Sequence, residues 1–356
     1  MRRCLLLAVA LLLTACSPTV SPSIVNVPAT PPVIASPAPT AGVPSPTVEP
    51  SAIAVPIVSA VAFSDLLHGL VVGGTPGGRG AVWRTADGGK TWTETIAATS
   101  ALSTVAVVGS SAWATVTCAS PANSGDTCSI IASSDGGRTW RVVSHQKVDG
   151  LSFIDPEDGW SVRSASGPAP GGVTGGVYTT TNGGRTWTAL PASPCQSIGW
   201  AVDVSFVSRD HGWVACAGGA GAGEAGKGVA ETTDGGRTWT TMARVNPPGA
   251  GFPADLGSMD LDGYLGGISM RPAGVGLAWE SRGGTLRTTD GGRSWTDMAQ
   301  VGSDAGPVPH GGQALTDRDW FVLLWDGEAQ ATVLYATHDA GTTWELVSQI
   351  PNCCLR

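Results

Sequence analysis

The chain has 356 residues, 50 of them glycine and 25 proline, with only 13% charged residues and a net charge of −8. An acidic balance with no basic run beyond residue 3 excludes nucleic acid as an electrostatic partner. Five scattered histidines and no Cys-x-x-Cys pair give no metal-ligand pattern, so neither a metal nor a cofactor is expected.

Residues 1–16, MRRCLLLAVALLLTAC, combine a basic start at Arg2 and Arg3, an apolar run from Leu5 to Leu13 and small residues before a cysteine. This reads as a secretory signal, too short to span a bilayer. Its Leu13-Thr14-Ala15-Cys16 ending resembles the bacterial lipobox, which implies that Cys16 becomes the lipidated first residue of the mature protein. Removing Arg2 and Arg3 takes the net charge to −10. Residues 17–56 hold eleven prolines and a single charge, Glu49. Such a segment cannot build a core and reads as a disordered Pro-rich tether, able to reach on the order of 120 Å at about 3.1 Å per residue.

Residues 57–350 carry a repeat. Six copies of Ser/Thr-x-Asp-x-Gly-x-Thr/Ser-Trp occur: TADGGKTW, SSDGGRTW, TTNGGRTW, TTDGGRTW, TTDGGRSW and THDAGTTW. Their acidic or amide positions are Asp87, Asp135, Asn182, Asp234, Asp290 and Asp339, and their tryptophans Trp92, Trp140, Trp187, Trp239, Trp295 and Trp344. The intervals of 48, 47, 52, 56 and 49 residues suit the blades of a β-propeller. Ahead of most copies lies a second pattern, as in AFSDLLHGL from Ala62, SFIDPEDGW from Ser152 and SFVSRDHGW from Ser205, which reads as strand, tight turn, strand. One strand enters the box and another leaves it, so each repeat is a four-stranded antiparallel blade. The prediction is an all-β, six-bladed propeller, with seven blades as the alternative and residues 351–356 as a short tail. Closure of the ring is expected to rest on packing of blade six against blade one, because no strand is exchanged between the ends.

Within the box, the Asp carboxylate can accept N–H groups of its own turn, glycine permits positive φ, and Trp covers the turn. The motif resembles the Asp-box, or BNR repeat, of sialidases, sortilin-type receptors, some glycoside hydrolases and the photosystem II assembly-factor propellers. Box plus preceding strand is most similar to the last of these. The resemblance implies fold strongly and function weakly, since these relatives do unrelated things.

Cys118, Cys128, Cys195, Cys216, Cys353 and Cys354 remain after the signal, an even number in an oxidising compartment. Cys118 and Cys128 flank the loop ASPANSGDT and are expected to pair across a hairpin mouth. Cys195 is expected to pair with Cys216; simple register sets Cys216 opposite Asp203, so the chain before Ala201 must fold back. Cys353 and Cys354 either bridge each other or stay free.

Sharper chemistry is not carried by the sequence. The sialidase relatives need an arginine triad and a Tyr nucleophile, but Arg138, Arg185, Arg237 and Arg293, like Lys90, occupy a solvated box position. Tyr178 and Tyr335 sit on strands entering boxes, and Tyr264 falls in an insertion. Candidate glycosidase carboxylates are Asp203, Glu280, Asp326 and Glu328, each more simply read as a strand-end or hairpin charge. Gly221 to Gly228 nearly spells a phosphate loop around Lys227, but Gly228 replaces the needed Ser/Thr, so it reads as a flexible hairpin tip. Asp260-Leu261-Asp262-Gly263 lacks the other ligands of a calcium loop. Two long segments, Ala217 to Lys227 and Asn246 to Gly263, together with Trp200, Trp279 and Trp325 outside the boxes, are the candidate recognition surface, with tolerated loop drift and ordinary blade packing of the tryptophans as the plainer readings. The expected protein is a monomeric, non-enzymatic lipoprotein of the bacterial envelope, extracytoplasmic and membrane-anchored through Cys16, that binds an unknown protein or glycan or scaffolds assembly. The alternative is a carbohydrate-active propeller, either glycoside hydrolase or glycan binder.

Overall fold

The computed structural model describes residues 57–350 apart from 76–77, 118–127, 164–175, 222–223, 247–253, 260–262, 282–283, 299–307 and 328. The signal with Cys16, the tether, Cys118, Glu328, Asp260 to Asp262 and the tail with Cys353 and Cys354 therefore lie outside the described residues.

Six four-stranded antiparallel sheets are formed, each from strands consecutive in the chain. Blade one holds β1 (Ile57–Phe63), β2 (Gly69–Gly74), β3 (Gly80–Thr85) and β4 (Thr93–Ala98). Blade two holds β5 (Leu102–Val108), β6 (Ser111–Val116), β7 (Ser129–Ser133) and β8 (Arg141–Ser144), and blade three β9 (Gly150–Phe153), β10 (Asp158–Val162), β11 (Val177–Thr181) and β12 (Thr188–Ala189). Blade four holds β13 (Gly199–Phe206), β14 (Gly212–Gly221), β15 (Glu224–Thr232) and β16 (Thr240–Val245). Blade five holds β17 (Tyr264–Met270), β18 (Gly276–Ser281), β19 (Thr285–Thr288) and β20 (Thr296–Asp297), and blade six β21 (Val308–Ala314), β22 (Trp320–Asp326), β23 (Ala331–Thr337) and β24 (Glu345–Gln349). The fold is a six-bladed propeller; no seventh blade forms within the described residues.

The second sequence pattern has a packing cause. Phe63, Phe153 and Phe206 end their inner strands directly opposite Gly69, Gly159 and Gly212. A Cβ at those glycines would lie 2.6, 2.6 and 2.5 Å from the Phe ring. Glycine is required there because the ring lies flat on the partner strand's backbone, a pairing that shields an otherwise bare glycine. The other face of each ring stacks on the blade before it: Phe63 on Phe321 at 3.8 Å, Phe153 on Trp113 at 3.7 Å and Phe206 on Trp160 at 4.0 Å. The box tryptophans Trp92, Trp187 and Trp239 meet the same rings edge-on. The edge-on contacts are favoured by the ring quadrupole and the stacked ones by the apolar area they bury, so in these three blades one Phe joins its own box to the neighbouring blade. None of the six box tryptophans is exposed.

A polar tie accompanies the stack. The serine before Phe153, Phe206 or Met270 at the inner-strand end reaches the next blade: Phe206 N–H donates to Ser152 Oγ (2.9 Å), Met270 N–H to Ser205 Oγ (2.9 Å) and Ala314 N–H to Ser269 Oγ (3.0 Å). At the ring's seam Gln313 makes two bonds, accepting from Phe63 N–H (2.6 Å) and donating to Phe63 C=O (3.0 Å). Closure thus rests on packing, through Phe63, Trp83, Phe321 and Leu323, and on Gln313. The seam is further held where the Trp92 indole donates to Ser348 Oγ at 3.1 Å.

Candidate functional site

The antiparallel order gives the ring two rims. On one, the turns between first and second strands meet the boxes. Each box ties its own turn and one neighbour: Thr85 Oγ1 donates to Asp87 Oδ1 (2.8 Å) and accepts from Gly89 N–H (2.8 Å), Asp87 accepts from Thr91 N–H (2.9 Å) and Thr91 Oγ1 (2.6 Å), and Gly88 N–H donates to the Leu67 carbonyl of the preceding turn (3.0 Å). The carboxylates of Asp135, Asp234, Asp290 and Asp339 are held in the same way. Hydrogen bonds from the Thr91 and Thr238 side chains and the Thr343 backbone hold Asp87, Asp234 and Asp339 down to about 2. Asn182 keeps the geometry without the charge, accepting from Thr186 N–H (3.0 Å) and donating to Thr186 Oγ1 (2.8 Å). Gly88 and Gly89 adopt φ of 77° and 91°, whereas the sixth box places Ala340 in that region at 59°. The box arginines cap the turns; Arg138, for example, donates to the Asp135 carbonyl at 2.7 Å. These groups have local partners and leave no acid or base aimed at a ligand.

The other rim, where inner strands begin and second strands end, is where the blades differ. Blade four rises above its neighbours there, with β14 ten and β15 nine residues long against five each for β10 and β11 and six and four for β18 and β19. The stretch expected as a flexible tip is therefore strand: β14 and β15 pair out to Gly221↔Glu224. Lys227 lies inside β15, fully buried, and its ammonium pairs with the carboxylate of Glu280 on blade five, 1% exposed. Glu280 is thus an interior anchor between blades and not a strand-end charge. Burying two charges is tolerated only when they are paired at close range. The sequence signal was present but weak: Lys227 stands two residues before Val229 and shares its strand alternation.

Cys195 and Cys216 are bonded, with Cα atoms 5.5 Å apart. Cys216 stands opposite Ala201, while Asp203 faces Ala215, because the strand bulges at Val202. The chain does fold back before Ala201, with Ile198 and Gly199 N–H groups donating to the Cys195 carbonyl at 3.0 and 2.8 Å. This staple carries Trp200, 36% exposed, on the raised end of β13. Cys128 is disulfide-bonded; its expected partner Cys118 is outside the described residues.

The second long segment is a brace rather than a free loop in its described part. Leu256 bridges to Arg244 and Ser258 to Ser294, and Arg244 donates to the Ala254 carbonyl at 2.6 Å. Gly257 fits because a Cβ would sit 2.9 Å from the Met242 carbonyl. The segment helps cover Trp295, the most buried box tryptophan at 4%. Tyr264, expected in the insertion, begins inner strand β17 instead.

Along the ring axis runs a channel of about 510 Å³ lined by the six inner strands and Trp279. Asp203 lines it, with Oδ2 accepting from Ile268 N–H at 3.1 Å. Burial without a cationic neighbour pushes its carboxyl up to about 7. Burial likewise lowers the His310 imidazole to about 4, and its Nε2 has no hydrogen-bond partner among the described residues. Asp326 lies at the end of β22, accepting from Ala329 N–H at 2.9 Å. The three described carboxylates named as glycosidase candidates therefore occupy a channel wall, an inter-blade ion pair and a hairpin. Among the described residues no group of three or more His, Cys, Asp or Glu side chains could hold a metal ion.

No family model and no curated protein matches the chain. Solved structures do. YCF48 from Cyanidioschyzon merolae is similar at 20% identity, covering 85% of this chain and 89% of that one with a TM-score of 0.46. A GH74 xyloglucanase from Xanthomonas campestris is similar at 13% identity over 82% of this chain and 45% of that one, TM-score 0.48. The fucose-specific lectin from Aleuria aurantia reaches a TM-score of 0.54 at 12% identity, covering 83% and 96%. At these identities the likeness is one of fold.

Proposed function

We propose that this protein is an extracytoplasmic docking module, anchored through lipid on Cys16, that binds a protein partner on the raised end of blade four. The observation that carries the reading is Trp200: a large aromatic side chain 36% exposed on a strand end stapled by Cys195–Cys216 and anchored to blade five through Lys227 and Glu280. Rigid elements that present an aromatic side chain are the usual cores of protein interfaces. Among the described residues the box rim presents exposed aliphatic side chains at Leu66 and Leu67 but no exposed aromatic one.

The test is site-specific photocrosslinking in intact cells, with the photoreactive residue at position 200 or, on the box rim, at Arg138. A discrete crosslinked species is expected from position 200 alone and is expected to disappear when the lipid site is removed by Cys16→Ala. Equal crosslinking from both rims, or none from position 200, overturns the reading. A glycan array run on the Trp200→Ala and unaltered proteins identifies the carbohydrate alternative: glycan binding lost on substitution would assign the same aromatic to a sugar.

A further inference from the structure

The seams between blades are closed by two devices, and one seam has neither. In the first, the second residue of a second strand stacks on the residue that ends the next inner strand, as Trp113 does on Phe153, Trp160 on Phe206 and Phe321 on Phe63. In the second, a side chain of one inner strand accepts an N–H from the next, as Ser152, Ser205, Ser269 and Gln313 do. Every seam but that between blades one and two has at least one of these. There the equivalent residues are Leu70, which follows Gly69 opposite Phe63, and Val107, which stands opposite Ala112 as Phe63 stands opposite Gly69. Residue 62, in the place of Ser152 and Ser205, is Ala. A smaller side chain where the repeat otherwise sets a ring leaves space that the surroundings close only in part.

The space is a cleft of about 470 Å³ on the box rim, lined by Ser64, Asp65 and His68 of blade one, by Asp135 and Arg138 of box two, and by Leu70, Val107 and Arg84. It falls within the roughly 300–1,000 Å³ of small-molecule sites. Its charged groups are not equally engaged. Asp135 accepts from Ser133 Oγ, Thr139 N–H and Thr139 Oγ1 at 2.8, 2.9 and 2.6 Å. Asp65 accepts from Leu67 N–H and His68 N–H at 2.8 and 2.9 Å, with His68 Nδ1 3.0 Å away. Arg138 donates to the Asp135 carbonyl. Arg84 lies with its stem on box two, where a Cβ at Gly137 would be 3.3 Å from Arg84 Cδ, and its guanidinium has no partner among the described residues. Nε alone is fully buried, so a ligand meets Nη1 and Nη2. That edge of the fork matches the two oxygens of a carboxylate.

We propose that this seam binds a planar, apolar carboxylate of the arylacetate class. Its ring takes the place that stacked side chains hold at the seams on either side, against Leu70 and Val107, and its carboxylate pairs with Nη1 and Nη2 of Arg84. An ammonium finds no free acceptor there, because Asp65 and Asp135 are engaged by their own turns, and a neutral ring leaves the guanidinium unpaired. The site is independent of the partner surface at Trp200.

Calorimetry at pH 7 tests this with phenylacetate, indole-3-acetate, their neutral amides, tryptamine and acetate. At least one arylacetate is expected to bind with Kd below about 1 mM and roughly tenfold tighter than its amide, with tryptamine and acetate weaker still. Arg84→Met, which keeps the stem and removes the charge, is expected to bring carboxylate and amide to similar affinity. Val107→Phe combined with Ala112→Gly copies the Phe–Gly pair of blades one, three and four into blade two and is expected to abolish binding. Leu70→Trp is the second blocked variant, and melting curves identify which blocked protein is folded. Amide or tryptamine binding as tight as the carboxylate, no arylacetate binding up to about 10 mM, unchanged carboxylate affinity in Arg84→Met, or binding that survives in a folded blocked variant overturns the proposal. Trp200→Ala is expected to leave this binding intact, and crosslinking from position 200 to persist in the Arg84→Met protein, so the two sites fail separately.

Discussion

The two rims of this ring are built from the same repeat and solve different problems. On the box rim the connection between third and fourth strands is six or seven residues in every blade; on the opposite rim the connection between second and third strands runs from two residues in blade four to fourteen in blade three. Uniformity follows from a solution kept within one blade: each box ties its own turn, donates one N–H to the turn between first and second strands, and in blades one, three and four hands a Trp to the adjoining Phe. Variation follows from having no such internal solution, so each blade's far end is held by whatever it contacts. In blade four these holds are a buried ion pair and a disulfide, and they brace the strand end that carries Trp200.

The largest way to break this contrast is at the ion pair. Lys227→Met strands the Glu280 carboxylate in the interior and is expected to cost about 3–5 kcal/mol, read by guanidinium unfolding; pairing it with Glu280→Leu is expected to restore most of the loss. A double variant that stays as unstable as the single one would show that the hold comes from packing. Replacing Cys195 and Cys216 by Ala is expected to cost about 3 kcal/mol for a closed loop of this size, with the raised end of blade four gaining amide exchange before the boxes do.

On the box rim, Ala340→Gly is expected to stabilise the protein by about 1 kcal/mol by relieving the left-handed φ that the other boxes assign to glycine. Ala340 is itself 7% exposed and packed, so a loss of stability would mean that its methyl contact outweighs the strain.

The rims and the channel also separate by pH. The box carboxylates sit below their ordinary 3.8, so the stability they supply is present above that value and is lost as pH falls toward 2. Asp203 is raised, so between about pH 4 and 7 the folded chain holds a proton that the unfolded chain has lost, and stability falls as pH rises. His310 is lowered from 6.5 to about 4, so over that window the unfolded chain binds the extra proton and stability falls as pH drops. The two slopes oppose each other. Asp203→Asn is expected to leave a stability that climbs from pH 4 to 6.5, and His310→Gln one that declines; flat profiles in both variants would remove the channel from the account.

Much of the ring was legible before any coordinate. The box spacing named the blade, whereas Gly69, Gly159 and Gly212 read only as turn chemistry although a ring lies on their backbone, and the serines at 152, 205 and 269 have their partners on another blade. Gln313 was less visible because its repeat lacks the Phe and fits the pattern only in register. Lys227 misled in the opposite direction: set among Gly and Ala, it has the local composition of a loop tip, and the carboxylate that justifies its burial stands 53 residues away on another blade.

What the sequence determined by itself is the repeating unit, since a box ties its own turn through bonds that reach at most four residues along the chain and sends its remaining N–H to a carbonyl within the same repeat. What tertiary structure alone decided is everything that requires two blades at once: the burial of Lys227 against Glu280, the shifted acidities of Asp203 and His310, and the channel itself. Desolvation and close pairing depend on what surrounds a group from every side, and no local pattern of residues encodes that surrounding.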